Sequence, residues 1–291
     1  MTSAVFSVVF PVLLVIVMFG LGLGLTVADF THVLAVPRAV LVTLLCQVVL
    51  LPALCFALVV GSGLGPDLAV GMMVLAAAPG GPMAGVFSHL ADGDVALNIT
   101  VTAVNSVLAV FTLPVVVAAS VRYFLSGDAA VGVQADKLVQ IGLLVLAPVA
   151  AGMAVRRWAP ASAERARRPL WTVTLVAVFV AICAAILPQV TGFLWGLAAI
   201  GLLSVTFCAL SLVLGYVVPR LVRVGHGQAV AAAFEIGIHN SVLAITVATT
   251  VLHNPVAAVA PAMYGALMYL PLTAFSWLVR RRVQQARPTT T

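Results

Sequence analysis

Long stretches without a charged side chain divide this chain. No Asp, Glu, Lys or Arg occurs in 1–28, 39–66, 68–91, 95–121, 138–155, 169–219 or 236–279. A membrane-crossing helix needs roughly 20 apolar residues, so most of these gaps hold one helix. The gap at 169–219 is long enough for two and is cut by Pro188, Gln189 and Gly192. The one at 236–279 is cut at His253-Asn254-Pro255. The pattern predicts nine hydrophobic elements, near 4–25, 38–60, 67–90, 94–122, 137–156, 169–188, 194–218, 227–252 and 256–279. A membrane β-barrel would instead show short segments of alternating polarity. The first element has no positively charged start and its apolar run is too long for a cleaved leader. It is expected to be a retained helix.

Composition agrees with this pattern. Of 291 residues, 63% are hydrophobic and 8% charged, with 14 basic and 8 acidic side chains and a mean hydropathy of +1.22. A soluble domain carries about 25% charged residues. An ordinary cytosolic enzyme, a disordered chain and a coiled coil are therefore excluded. The +6 charge is no sign of a nucleic-acid partner, because the basic residues mark loops. Nine spans put the termini on opposite sides of the bilayer. With the N-terminus outside, the cytoplasmic segments carry Arg38, Arg156, Arg157, Arg165, Arg167, Arg168, Arg220, Arg223, Arg280, Arg281, Arg282 and Arg287. The outer side keeps Arg122 and Lys137. This bias follows the positive-inside tendency and gives a multi-pass cell-membrane protein with a basic cytoplasmic tail at 280–291. Cys46, Cys55, Cys183 and Cys208 all lie inside spans, where small apolar packing is their expected role.

Two elements are interrupted. The third contains Ala78-Pro79-Gly80-Gly81-Pro82-Met83. Proline removes an amide donor and clashes with the preceding turn, so the helix should break near mid-membrane. Unwound backbone at that depth survives only inside protein or beside a water-filled cavity. The plain alternative is a kinked structural helix. The eighth element contains Phe234-Glu235-Ile236-Gly237-Ile238-His239-Asn240-Ser241, and Glu235 is the one carboxylate placed well inside a span. A charge there costs about 2.5–3.5 kcal/mol on insertion scales. With no intramembrane Lys or Arg to pair with, its natural partner is a coordinated cation or a proton. The two broken elements are five apart, an odd offset that reverses direction through the membrane. Elements 1–4 and 6–9 can therefore be inverted repeats, a transporter signature.

Other polar residues can converge on the breaks. Gln47 sits mid-way along the second element. Asn98, Thr102 and Asn105 or Ser106 share one helical face, and Glu235 and His239 share a side if the helix persists that far. Amide, hydroxyl, carboxylate and freed backbone oxygens are hard ligands that suit an alkali cation. Singly, each residue also reads as helix-packing polar glue. No HExxH, GxSxG or Walker loop is present, so an enzyme is not expected.

These motifs resemble the bile acid:sodium symporter family in its nine-helix form. The resemblance rests on Pro79-Gly80-Gly81 through Leu90-Ala91-Asp92-Gly93-Asp94-Val95-Ala96-Leu97 and on the Phe234–Ser241 run. Met18–Leu23 with Asp29-Phe30, and Gln47 to Pro52, also fit. It implies an all-α polytopic membrane protein whose inverted repeats supply two discontinuous crossing helices. Residues 1–25 and 137–188 would form a panel, 38–122 and 194–279 a core. The implied function is alternating-access symport of a small organic anion with sodium. One implied sodium site uses Gln47, Glu235, the backbone at Ile236 and Ile238, and His239, where the family usually has Gln. The other uses Glu235, Thr102 and Asn98, with a Ser-Asn pair that falls on Ala84 and Gly85 here. Losing that pair removes two oxygen ligands, so coupling by one sodium or a proton is expected. His239 is the motive for the proton, since histidine titrates near pH 6.5. Substrate contact is expected at Asn240 and the backbone around Pro82 and Met83.

Overall fold

A computed structural model describes residues 10–81, 83–125, 135–166, 169–170, 172 and 200–286. Among these the protein is helical, and the sole β feature is an isolated antiparallel bridge between Gly80 and His239. Most of the sixth element, Cys183 and the start of the seventh lie outside the described residues, as does Pro82.

α1 (Phe10–Gly24) is followed by a short helix to Leu34, bent from it by 75°. Asp29 closes the corner: its carboxylate accepts the Thr26 amide at 2.6 Å and the Thr26 hydroxyl at 2.8 Å. α2 (Pro37–Ser62) starts on Pro37, whose missing amide costs nothing in a first turn, and ends at Gly63 in the left-handed region. Within α2 one wide turn, Cys46–Leu50, carries Gln47. Such turns are frequent at functional sites.

α3 (Pro66–Ala77) and α4 (Met83–Leu90) flank the first break. α5 (Val95–Phe124) is capped by Asp94, whose Oδ1 accepts the Leu97 amide at 3.0 Å. α6 (Ala135–Trp158) packs tightly along α1, where a Cβ on Gly152 would lie 2.8 Å from Gly22 Cα. Small residues of this kind let membrane helices approach closely. α7 (Leu202–Leu221), α8 (His226–Gly237), α9 (Ser241–Val251) and α10 (Val259–Arg281) complete the described chain.

α2, α5, α7 and α10 are long and apolar enough to cross a bilayer, and the bent pair beginning with α1 makes a possible fifth crossing. At 1.5 Å per residue, the 12 residues of α3 or of α8 reach only about 18 Å, short of a hydrocarbon core of about 30 Å. Each short helix continues through its break into a partner, α3 into α4 and α8 into α9. Phe207, Phe234, Met72, Leu75 and Tyr264 form the buried packing around these pieces.

Candidate functional site

Both breaks have the local cause that the sequence suggests. At the end of α3, Ala78 turns extended and Pro79 forbids a further helical turn. At the end of α8, Ile238 is extended (φ −114°, ψ 111°), and Asn240 restarts the chain by accepting the Leu243 amide on its side chain at 3.0 Å. The two extended stretches then satisfy each other. The Gly81 amide donates to the Ile238 carbonyl at 3.1 Å, and the Asn240 amide donates to the Pro79 carbonyl at 3.1 Å. This pairing is how unwound backbone persists away from water.

Glu235, in the last turn of α8, is fully buried beside this bridge. The Thr102 hydroxyl lies 2.8 Å from both carboxylate oxygens, and Asn98 Nδ2 donates to Oε2 at 3.3 Å and to the Ala231 carbonyl at 2.9 Å. Thr102 has a single proton to give, so the carboxylate holds two donors at most from these neighbours. Among the described residues no Lys or Arg lies within ion-pair distance of it. Gly80 presses on the other side, where a Cβ would sit 2.7 Å from Glu235 Cδ and 3.2 Å from its backbone oxygen.

Two buried acceptors at this junction have no hydrogen-bond partner, Asn98 Oδ1 and Gln47 Oε1. Gln47 is anchored to the break by its other amide atom, since Nε2 donates to the Ala78 carbonyl at 3.2 Å. Acceptors left without donors, together with one carboxylate, make a donor set suited to a hard, singly charged cation. The structure therefore brings Asn98 and Thr102 onto Glu235 and ties Gln47 to the first break.

His239 takes a different setting. The helix ends at Gly237, two residues before it, so the bridge and not helical spacing decides its position. Its ring stacks on Phe207 (centroids 5.6 Å apart, 11° between planes) and lies 5.3 Å from Tyr264. Neither ring nitrogen makes a hydrogen bond, and the neighbouring Ala78 carbonyl accepts from Gln47 instead. Tyr264 meanwhile donates to the Gly237 carbonyl at 2.9 Å. Tyr264→Phe is expected to cost about 1 kcal/mol, read as a lowered melting temperature of the purified protein.

The remaining expected residues fall around the breaks. Ile238 gives its carbonyl to the bridge, and Ile236 lies buried in the closing turn of α8. Asn240 is buried with its oxygen committed to the cap, and Met83 is half-buried at the first position of α4. Ala84 is buried with no oxygen to offer, and Gly85 lies beside Val95. Ser106 bonds back to the Thr102 carbonyl at 2.7 Å, whereas Asn105 Nδ2 is buried without a partner. Sequence reasoning missed Ser88 and Ser241, whose buried hydroxyls also have none. A serine in an apolar helix looks the same whether or not it bonds to its own backbone, so the pattern carried no signal for them.

The chain is similar in sequence to known proteins. Residues 11–194 match the model of the Sodium Bile acid symporter family. The chain is 28% identical over 254 residues to "Uncharacterized sodium-dependent transporter YocS" of Bacillus subtilis, covering 86% of this chain and 76% of that protein. It is 26% identical over 246 residues to "Probable sodium/metabolite cotransporter BASS1, chloroplastic" of Arabidopsis thaliana, covering 84% of this chain and 60% of that one. It is 25% identical over 248 residues to the human "Ileal sodium/bile acid cotransporter", covering 84% and 70% respectively. The chain thus spans about three-fifths of the plant relative's length.

Proposed function

The chain belongs to the Sodium Bile acid symporter family, and from this membership together with the donor set at Glu235 we propose that it moves a small organic anion by symport with sodium. The family is one of membrane transporters, not enzymes, and this chain is a multi-pass membrane protein of that kind. The observation that carries the finer reading is Glu235 itself. It is a fully buried carboxylate with two donors, no basic partner among the described residues, and unpartnered oxygens at the same junction. A buried charge without a counter-charge is costly. A cation that binds there offsets that cost, so its presence biases which conformations the core adopts.

In this reading sodium sits against Glu235, Asn98 Oδ1 and Thr102, with Gln47, the carbonyls of Ile236 and Ile238, and His239 completing a neighbouring position. The anion lies on the opposite side of the bridge. α4 and α9 both begin at the breaks, so their positive dipole ends face it, with Met83 and Asn240 in contact. Nine spans arranged as inverted repeats form a panel (1–25 and 137–188) and a core (38–122 and 194–279). The core moves against the panel to open the site to either side. The N-terminus is outside, the basic tail at 280–291 is cytoplasmic, and the membrane is the plasma membrane.

Ala84 and Gly85 favour a lower ion stoichiometry, because neither offers a side-chain oxygen. Reconstituted vesicles given separate sodium and proton gradients test both points. The expected result is anion uptake driven by the sodium gradient with fewer than two sodium ions per anion. Two sodium ions per anion would refute the reduced stoichiometry. Uptake driven by the proton gradient alone, or by neither, would replace sodium symport with a proton-coupled or uncoupled permease. Binding without uptake would make the chain a sensor of the same fold. Suitable anions come from a thermal-shift screen run with and without sodium, since a ligand that binds the folded state raises its stability. Thr102→Val removes a hydroxyl from a charged acceptor, worth about 1.5–3 kcal/mol. The sodium concentration for half-maximal uptake is expected to rise at least tenfold.

A further inference from the structure

α7 and α10 run side by side in the same direction. Cys208 Sγ reaches the Met268 carbonyl at 3.7 Å, and further along both helices Tyr216 meets Phe275, with ring centroids 6.1 Å apart. The two helices therefore end together. Arg220 lies in the last turn of α7, Arg223 follows it in the loop to α8, and Arg280 and Arg281 close α10. All four arginines are exposed, and among the described residues none has an acid within ion-pair distance. Loop 91–94 joins this end through the Asp94 amide, which donates to the Gly227 carbonyl at 2.9 Å. Neither Asp92 nor Asp94 pairs with an arginine.

The backbone adds to the positive field. Gly225 begins α8 without a side-chain cap, so the first amides of that helix and its positive dipole end are left at the surface. Arg223 takes the left-handed region (φ 60°), which residues with a Cβ avoid. The loop holds it there: the Val224 amide donates to the Pro219 carbonyl at 2.9 Å, and Arg220 Nη1 donates to the Val224 carbonyl at 2.9 Å.

Exposed apolar surface leads up to these cations. Val213, Val217 and Leu221 follow one another at helical spacing on α7, and Trp277 and Leu278 are exposed on α10. Arg281 does not extend away from that surface. Its guanidinium lies 3.6 Å over the Trp277 ring. Such a contact holds the cation at the depth where interfacial tryptophans sit, level with lipid headgroups. Marking the side of the membrane needs only the charge, and does not need an arginine docked on an aromatic face.

We propose that the shared end of α7 and α10, with the start of α8, is an interaction surface for anionic phospholipids. The four arginines take headgroup phosphates, and the exposed stripes beneath them take acyl chains. A soluble anion would use the arginines and leave the stripes idle. A phospholipid without net charge would use the stripes and leave the arginines uncompensated. The surface stands apart from Glu235, which lies at the opposite end of α8.

The test uses full-length protein in detergent micelles doped with phosphatidylglycerol or with phosphatidylcholine of the same chains, and follows the melting temperature against lipid mole fraction. Phosphatidylglycerol is expected to give a saturable rise, and phosphatidylcholine none. Arg280→Gln with Arg281→Gln is expected to raise the mole fraction for half the effect at least threefold. Trp277→Leu, which keeps an apolar side chain and loses the ring, is expected to raise it at least twofold. Arg122→Gln with Arg157→Gln removes the same charge from α5 and α6 and is expected to leave it unchanged. Equal responses to the two lipids, or an unaltered response in the Arg280/Arg281 variant, would overturn the proposal. So would an equal loss in the Arg122/Arg157 variant, which would reduce the effect to net charge. A rise of the same size with inorganic phosphate alone would also overturn it, because the surface would then serve a soluble anion.

Discussion

Gly80→Ala is expected to reduce sodium-driven uptake by at least thirtyfold while the protein still inserts and melts cooperatively. The added Cβ would stand 2.7 Å from Glu235 Cδ and 3.2 Å from the Glu235 carbonyl. The carboxylate is the more movable of the two, but moving it breaks its bonds to Thr102 and Asn98. Overpacking of this kind costs about 1–3 kcal/mol, and here the strain falls on the group that holds the ion. Gly81→Ala is the control. Its Cβ would meet Ile238 Cγ2 at 3.3 Å, a contact that a small shift of one methyl relieves. Uptake and melting temperature measured on both variants separate damage to the site from damage to the fold. Equal loss in the two would show that any bulk at the bridge is harmful and that the Glu235 contact is not special.

Glu235→Gln is expected to have the largest effect, a loss of sodium-driven uptake of a hundredfold or more. The amide has the same shape and can still accept from Thr102, so the core keeps its packing. What goes is the charge that compensates the cation. Sodium should raise the melting temperature of the parent protein, by the equivalent of about 2.7 kcal/mol at a hundred times its dissociation constant, and should leave the variant unmoved. Without sodium the variant should be at least as stable as the parent, because removing an unpaired buried charge relieves its desolvation cost. Melting curves over a sodium series, with potassium as the balancing salt, supply this comparison. Equal sodium responses in the two proteins would contradict it.

Much of the site is legible in the sequence because local rules produce it. Prolines and glycines at 79–81 stop a helix wherever they occur. Asn98 and Thr102 are one turn apart, so they reach a common partner. Glu235 is conspicuous as a carboxylate within an apolar run. The pairing of the two breaks is another matter. Nothing near Gly81 says that its amide will find Ile238, since that bond depends on how α3–α4 and α8–α9 meet. His239 shows the same limit. A four-residue spacing from Glu235 holds only while the helix continues, and Gly237 ends it, so the ring comes to rest against Phe207 and Tyr264 from other helices. The wide turn around Gln47 and the 75° corner after α1 likewise depend on packing, although Thr26 and Asp29 carry the local signal for the corner's cap.

Direct binding of radioactive sodium to the purified protein, compared with Glu235→Gln under the same conditions, bears on the mechanism without needing the transported anion. Saturable binding to the parent that unlabelled sodium displaces and potassium does not, with none above background in the variant, is the outcome expected here. Undiminished binding in the variant, or none in the parent, would mean that this buried carboxylate does not hold the ion.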